Sequence, residues 1–332
     1  MRKRNWLFII PLVLLIVYLM GPKPASPVYS TVMPVLPADA AGLENYVRQE
    51  EASHKLKPDN EARIIWANDS LKQKTDVSIV YLHGFTASQE EGDPIHREVA
   101  SHFGCNLYLS RLAEHGIDTT EPLLRLTADK YWESAKEAMA IGQRLGNKVI
   151  LMGTSTGGTL ALKLAAEYPE VYGLVLLSPN IAIDDPNAWL LNNPWGLQIA
   201  RMVKSSKYID SKDDTRPIYK QYWSPRYRIE GAVSLEELLE TSMLRKTFNK
   251  IKQPTLVLYY YKDEVLRDSV VKVSAIKKMY EQLGTDTTLK RSLAMPNTGN
   301  HVIGSWIKSK DVASVKWEIE KFLSEILHLT AK

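Results

Sequence analysis

The chain has 332 residues, enough for one large domain or two small ones, and for a large buried core without disulfide or metal staples. Apolar residues make up 45 % and charged residues 24 %, which argues against disordered, collagenous and coiled-coil classes. Of the net charge of +4, Arg2, Lys3, Arg4, Lys23 and Asp39 supply +3, and no basic stripe suited to phosphate contacts remains, so no nucleic-acid partner is expected. The single cysteine, Cys105, excludes an intrachain disulfide framework and any cysteine-cluster metal site. It falls before or within an apolar strand and reads as a core residue.

Arg2-Lys3-Arg4 precedes fifteen apolar residues, Trp6 to Met20, a basic start and an apolar run of secretory type. The run is shorter than the ~20 residues of an ordinary spanning helix and contains Pro11. Cleavage signals nearby are poor, so residues 1–20 read as an uncleaved membrane anchor or a cleaved signal. Either places the rest outside the cytoplasm, membrane-anchored or secreted or periplasmic. Residues 21–40 follow as a linker. Five prolines within 21–37 favour extended chain, expected to act as a spacer between a membrane and a domain spanning 41–332.

From there, short β-rich runs alternate with helical stretches. Strands are predicted at 63–67, 77–82, 106–110, 148–152, 173–177, 255–260 and 288–293. Helices are predicted at 94–103, 128–145, 159–168, 269–283 and 312–327. Val149-Ile150-Leu151-Met152 and Leu174-Val175-Leu176-Leu177 are continuously apolar, as in strands covered on both faces. The fold class is therefore α/β, a doubly wound, mostly parallel sheet, with the first two strands expected to form an antiparallel start. Residues 181–250 break the alternation with Trp189, Trp195, Tyr208, Tyr219, Tyr222, Trp223 and Tyr227 and one good helix at 235–248. Such an insertion forms a cap over the carboxyl edge of the sheet, its aromatics lining an apolar pocket or packing the cap down.

Gly153-Thr154-Ser155-Thr156-Gly157-Gly158 holds a G-x-S-x-G pattern, weak alone. Its context strengthens it: a strand ends at Gly153 and a helix begins just after, so Ser155 projects from a sharp turn that only small neighbours permit. A serine hydroxyl needs a base and the base needs an orienting carboxylate. In this architecture the chain order is serine, acid, histidine, which leaves His301 and His328 as candidates. His328 lies at the polar end of the last helix, whereas His301 follows the last strand at the carboxyl edge, so His301 is the expected base. Asp263, after the strand at 255–260, is the expected acid, with Asp184 or Asp185 next; Asp268 is expected to cap the following helix. The amides of Thr156 and of Phe85, in His83-Gly84-Phe85, are the expected oxyanion donors, with His83 shaping that loop.

Together with Arg111…His115-Gly116, these residues give a chain that resembles the α/β-hydrolase superfamily over about residues 60–330. Within it, the chain is similar to the carboxylesterase, monoacylglycerol lipase and lysophospholipase branch. The resemblance implies Ser155 as nucleophile, His301 as base, Asp263 as acid, Phe85 and Thr156 as oxyanion donors, and a small, mainly helical cap after the sixth strand. It implies no cofactor, and no His/Asp/Glu cluster has metal-ligand spacing. The expected activity is serine-dependent cleavage of small-molecule or lipid carboxylic esters with apolar acyl chains. Peptidase, thioesterase or acyltransferase chemistry on the same triad stays open, as does a non-enzymatic binding role.

Overall fold

The computed structural model describes residues 6–211 and 214–332. Seven strands form the main sheet: β1 (Arg63–Ile65), β2 (Thr75–Leu82), β3 (Asn106–Leu109), β4 (Gly146–Thr154), β5 (Val171–Leu177), β8 (Thr255–Tyr259) and β9 (Lys290–Ala294). Their order is β1-β3-β2-β4-β5-β8-β9. All neighbours are parallel except β1, which runs antiparallel to β3 with Arg63 opposite Leu109. The expected antiparallel start therefore does not pair the first two strands with each other; β3 separates them.

In the central strands β2, β4, β5 and β8 successive apolar residues enter opposite faces, which is why these four read as hydrophobic runs. On one face Val80, Leu151 and Leu176 pack with Trp132 and Met139 of α4 (Ala128–Leu145) and Leu160 of α5 (Thr156–Glu167). On the other, Ile79, Ile150, Met152 and Val175 meet Val99 of α3 (Ile95–His102) and Phe322 of α11 (Val312–Glu325). Cys105 is buried in that second core, and burial pushes its thiol up to about 11. Helix α10 (Val273–Gln282) joins the first face through Ile276 and Met279. From β2 the chain moves to one side of the sheet and returns past β2 to β4. The loops after β2 and β4 thus leave the same carboxyl edge side by side, the usual ligand position in such sheets.

The long insertion leaves the sheet after its fifth strand in chain order, one earlier than the resemblance implied, because this sheet has seven strands. It contains α6 (Gly196–Lys204), β6 (Tyr208–Asp210), α7 (Pro217–Tyr222), β7 (Arg226–Arg228), α8 (Ile229–Ser242) and α9 (Arg245–Lys250), with β6 and β7 paired antiparallel. The single helix expected at 235–248 is two helices. The Ser242 hydroxyl bonds back to the Leu238 carbonyl where α8 ends, a local alternative to continued helix. Tyr219, Tyr222 and Trp223 are buried against Ala87, Val302 and Ile307, so these aromatics fasten the insertion to the loops of the sheet edge.

At the N-terminal end, α1 (Trp6–Leu19) rests on α6: the Trp195 indole donates to Val17 O at 3.1 Å. Among the described residues no helix is long and apolar enough to cross a membrane. Residues 22–37 are extended, as their prolines require, and lie along α4 and α5 as a strap. Trp132 Nε1 donates to Ser30 O at 2.6 Å, Tyr168 Oη to Thr31 O at 2.9 Å, Lys136 Nζ to Val32 O at 2.8 Å and an Arg144 nitrogen to Leu36 O at 3.1 Å. The Lys163 ammonium sits 3.7 Å from the Tyr29 ring centre, a cation–π contact. The chain then enters α2 (Ala40–Ala52), where Asp39 caps the helix by accepting the Gly42 amide at 2.8 Å.

Candidate active site

Ser155 sits between β4 and α5 with φ 52° and ψ −117°, a conformation disfavoured for a residue with a Cβ. Its neighbours hold it there: Ser155 N donates to Leu177 O at 2.9 Å, and Ser155 O accepts from Thr159 N and Asn180 N. A Cβ on Gly157 would lie 1.9 Å from Leu82 O, and one on Gly153 would lie 2.5 Å from Gly157 C. The glycines of the motif are therefore demanded by the crossing of α5 over β2 and β4. The elbow delivers Ser155 to the sheet edge at 5 % exposure. Thr156 opens α5, so its amide is among the first-turn N–H groups that have no intrahelical acceptor.

The loop after β2 is shaped by His83, which is fully buried. His83 Nε2 accepts the Leu112 amide at 3.0 Å, which makes Nδ1 the protonated nitrogen, donating to Gly84 O at 2.9 Å. Burial and the nearby His115 hold its pKa well below the usual histidine range, so His83 stays neutral. Next in the loop, the Phe85 ring stands edge-on to Tyr227 of the insertion, centroids 5.0 Å apart, and Ser224 N donates to Thr86 O at 2.8 Å. The insertion thereby clamps the loop that presents the Phe85 amide.

His301 lies in the loop after β9 and donates from Nδ1 to Asp268 Oδ2 at 2.6 Å. Asp268, 1 % exposed, accepts the Val270 and Val271 amides on its other oxygen at 2.9 and 3.1 Å. Burial alone would raise the Asp268 pKa; the His301 charge and hydrogen bond, with those two amides, outweigh it and keep the carboxyl ionised. Burial would likewise lower His301, but the Asp268 charge and hydrogen bond, helped by Glu91, raise it above its ordinary value of 6.5. His301 Nε2 is buried and makes no hydrogen bond, to Ser155 Oγ or to any other group. With its proton on Nδ1, His301 carries its free lone pair on Nε2.

Asp263, the acid expected from the sequence, does not face His301. It is exposed, and its Oδ1 accepts the Val265 and Leu266 amides at 2.9 and 2.7 Å. The reason is a small excursion after β8: Tyr261 bridges to Arg267, Lys262 N bonds to Leu266 O, and Asp268 N returns to Tyr260 O at 3.1 Å. Asp263 rides on the tip and Asp268 re-enters beside the strand end. Nor does Asp268 cap a helix, since α10 begins only at Val273. Asp184 lies 4.0 Å from Arg267, and Asp185 accepts the Asn187 amide; neither reaches His301. His328 is exposed near the end of the chain. Sequence reasoning also missed Glu91, whose carboxyl is buried beside this centre and whose run of polar neighbours looks like a solvated turn.

A family model described as Hydrolase_4, serine aminopeptidase S33, matches residues 126–294, just over half of the chain. The match takes in Ser155 and Asp268 and ends before His301. A thermostable monoacylglycerol lipase of Bacillus sp. (strain H-257) is 31 % identical over 110 residues, covering 33 % of this chain and 42 % of that enzyme. The chain thus spans less than half the length of that relative. Among solved structures, one from work on LipS and LipT, two metagenome-derived lipolytic enzymes, superposes with a TM-score of 0.62 at 18 % identity, covering 82 % of this chain and 100 % of its own. The monoacylglycerol lipase of Paleococcus ferrophilus gives 0.58 at 15 % identity, covering 79 % and 97 %. At such identities the likeness carries the fold, an α/β-hydrolase sheet.

Proposed function

This chain belongs to the serine aminopeptidase S33 family, Hydrolase_4, and from that premise we propose that it is a serine-dependent hydrolase of carboxylic esters with apolar acyl chains. The observation that carries the reading is the polarity of His301: Nδ1 is committed to a buried, ionised Asp268 while Nε2 is buried without a partner, and Ser155 is held in a strained turn after β4. In this reading Ser155 Oγ attacks the ester carbonyl and its proton passes to His301 Nε2. The carbonyl π electrons move to the oxygen, which faces the amides of Phe85 and Thr156. Collapse expels the alcohol, which takes the proton from Nε2 and leaves an acyl-enzyme on Ser155. Water, deprotonated by the same nitrogen, then releases the acid.

Asp268 replaces Asp263 as the orienting acid. The apolar acyl preference is supported by the monoacylglycerol lipase among the relatives. An apolar N-terminal helix behind a basic start supports attachment to a membrane, with the catalytic domain outside the cytoplasm. The family description favours one second reading, hydrolysis of aminoacyl amides by the same groups.

The test is hydrolysis of p-nitrophenyl esters from acetyl to palmitoyl by the full chain in detergent, beside an aminoacyl p-nitroanilide and the Ser155→Ala variant. Turnover with a chain-length optimum is expected, lost in Ser155→Ala while Tm stays within a few degrees, because a small side chain contributes little packing. Cleavage of the anilide alone would select the second reading. Turnover that survives in Ser155→Ala would overturn both.

A further inference from the structure

Glu91 lies in the short turn Gln89–Gly92 that follows the Phe85 loop and is 2 % exposed. A carboxyl removed from water must be partnered, and the partners here are donors. Oε2 accepts the Gly84 amide at 2.5 Å, and the group faces the Trp223 indole N–H of the insertion and the Tyr81 hydroxyl of β2. Both carboxyl oxygens lie 2.9 Å from the point where a Cβ on Gly84 would stand, and Ser155 Cβ lies 3.1 Å from that same point. Only the absent methyl group of Gly84 separates Glu91 from the nucleophile. A solvated surface glutamate has no use for such a place.

We propose that Glu91 is a positioning residue of the hydrolytic centre, holding the oxyanion loop through the Gly84 amide and adding a second negative charge to that of Asp268 against the imidazolium that forms on His301. The proposal rests on the reading of Ser155 and His301 given above. Glu91 forms no bond and moves no proton. It fixes the loop whose next residue presents an oxyanion donor, and it ties that loop to the insertion through Trp223.

The charges around the pair are few. His301 faces Asp268 and Glu91. Glu91 faces His301, Tyr81 and Trp223, with Tyr131 of α4 also within its field. Burial raises both tyrosines well above their usual range, so they stay neutral. Burial likewise keeps His83 and His115 neutral. Burial raises Glu91 itself to about 7, against the pull of the Gly84 amide, His301, Trp223 and Tyr81. Glu91 and His301 are both raised and act on one another directly, so the loss of a proton from one is coupled to the other.

His301 must be neutral to accept the Ser155 proton, so kcat/KM falls as pH drops through its raised pKa. If ionised Glu91 is needed as well, two protons must leave before the centre works. The acid limb of log kcat/KM in the unaltered full chain is then expected to approach a slope of two. Glu91→Gln removes the charge: the slope falls to one, the limb moves to lower pH by about half a unit or more, and kcat drops about tenfold with KM little changed. Trp223→Phe keeps the charge but removes a donor to the carboxylate, so the limb moves the other way, to higher pH. A role confined to packing would lower Tm and move neither limb.

A slope of one in the unaltered chain, an unmoved limb in folded Glu91→Gln, or a faster variant would overturn the proposal. Should Glu91→Gln fail to fold, the unaltered slope and the Trp223→Phe shift decide. Ser155→Ala runs alongside. Turnover persisting there sinks the serine reading and this proposal with it, whereas an inactive Ser155→Ala with unmoved limbs sinks only the role of Glu91.

Discussion

Asp263 and Asp268 leave the same strand end, yet one carboxylate lies in water and the other under a histidine. On the proposed mechanism the difference should appear as a large factor in rate. Asp268→Asn should lower kcat by about a thousandfold or more, because an amide at that place no longer holds His301 with its proton on Nδ1. Asp263→Asn should change kcat by less than twofold, since an asparagine oxygen still accepts the Val265 and Leu266 amides. Ester hydrolysis by both variants, with melts to show that each is folded, checks the pair. The places of Ser155 in a strand-to-helix elbow and of His301 in the loop after the last strand were legible because glycine spacing and chain order constrain them. The acid was not, because two aspartates on one loop are told apart only by the bridge from Tyr261 to Arg267. Glu91 was hidden for a related reason: Gln89-Glu90-Glu91 reads as a polar turn, and nothing local announces that its last side chain is buried.

Elements behaved more predictably where they bury both faces. Each of the seven strands expected from short β-rich runs is present, the two continuously apolar ones as β4 and β5, and α4 runs from Ala128 to Leu145 as its pattern suggests. The crossing of α5 over β2 depends on one missing side chain. Gly157→Ala places a methyl group 1.9 Å from a backbone carbonyl that cannot step aside, so a loss of about 4 kcal/mol or more is expected, read by denaturant unfolding. The strap is the element whose role the sequence left least clear. Proline content gives its extended conformation, but its place is decided by donors far along the chain, on Trp132, Lys136, Arg144 and Tyr168.

For the whole molecule, that strap ties the apolar α1 to the catalytic domain along a fixed path, with Trp195 of the insertion meeting α1 at Val17. Two truncations separate attachment from stability. Removing residues 1–20 takes away exposed apolar side chains from Ile9 to Met20 and leaves the strap, so binding to phospholipid vesicles should be lost with Tm nearly unchanged. Removing residues 1–38 also takes the acceptors from α4 and α5 and uncovers apolar surface that packs under Leu36. At about 1 kcal/mol for each hydrogen bond, Tm should fall by about 5–10 °C. Vesicle sedimentation and thermal melts of the two forms give the answer, and equal melts would return the strap to the status of a loose spacer.

The sequence by itself determined the α/β layering, the strands, the serine elbow and the histidine after the last strand. Each follows from local causes: apolar runs fit strands covered on both faces, and glycine alone fits a crossing without a Cβ. Tertiary structure decided which aspartate holds His301, where Glu91 is buried, that the insertion's aromatics fasten it down, and that the proline-rich segment is bound to the domain. Those outcomes depend on contacts between residues far apart in the chain, and a carboxylate's role is set by whether water or a neighbouring charge surrounds it.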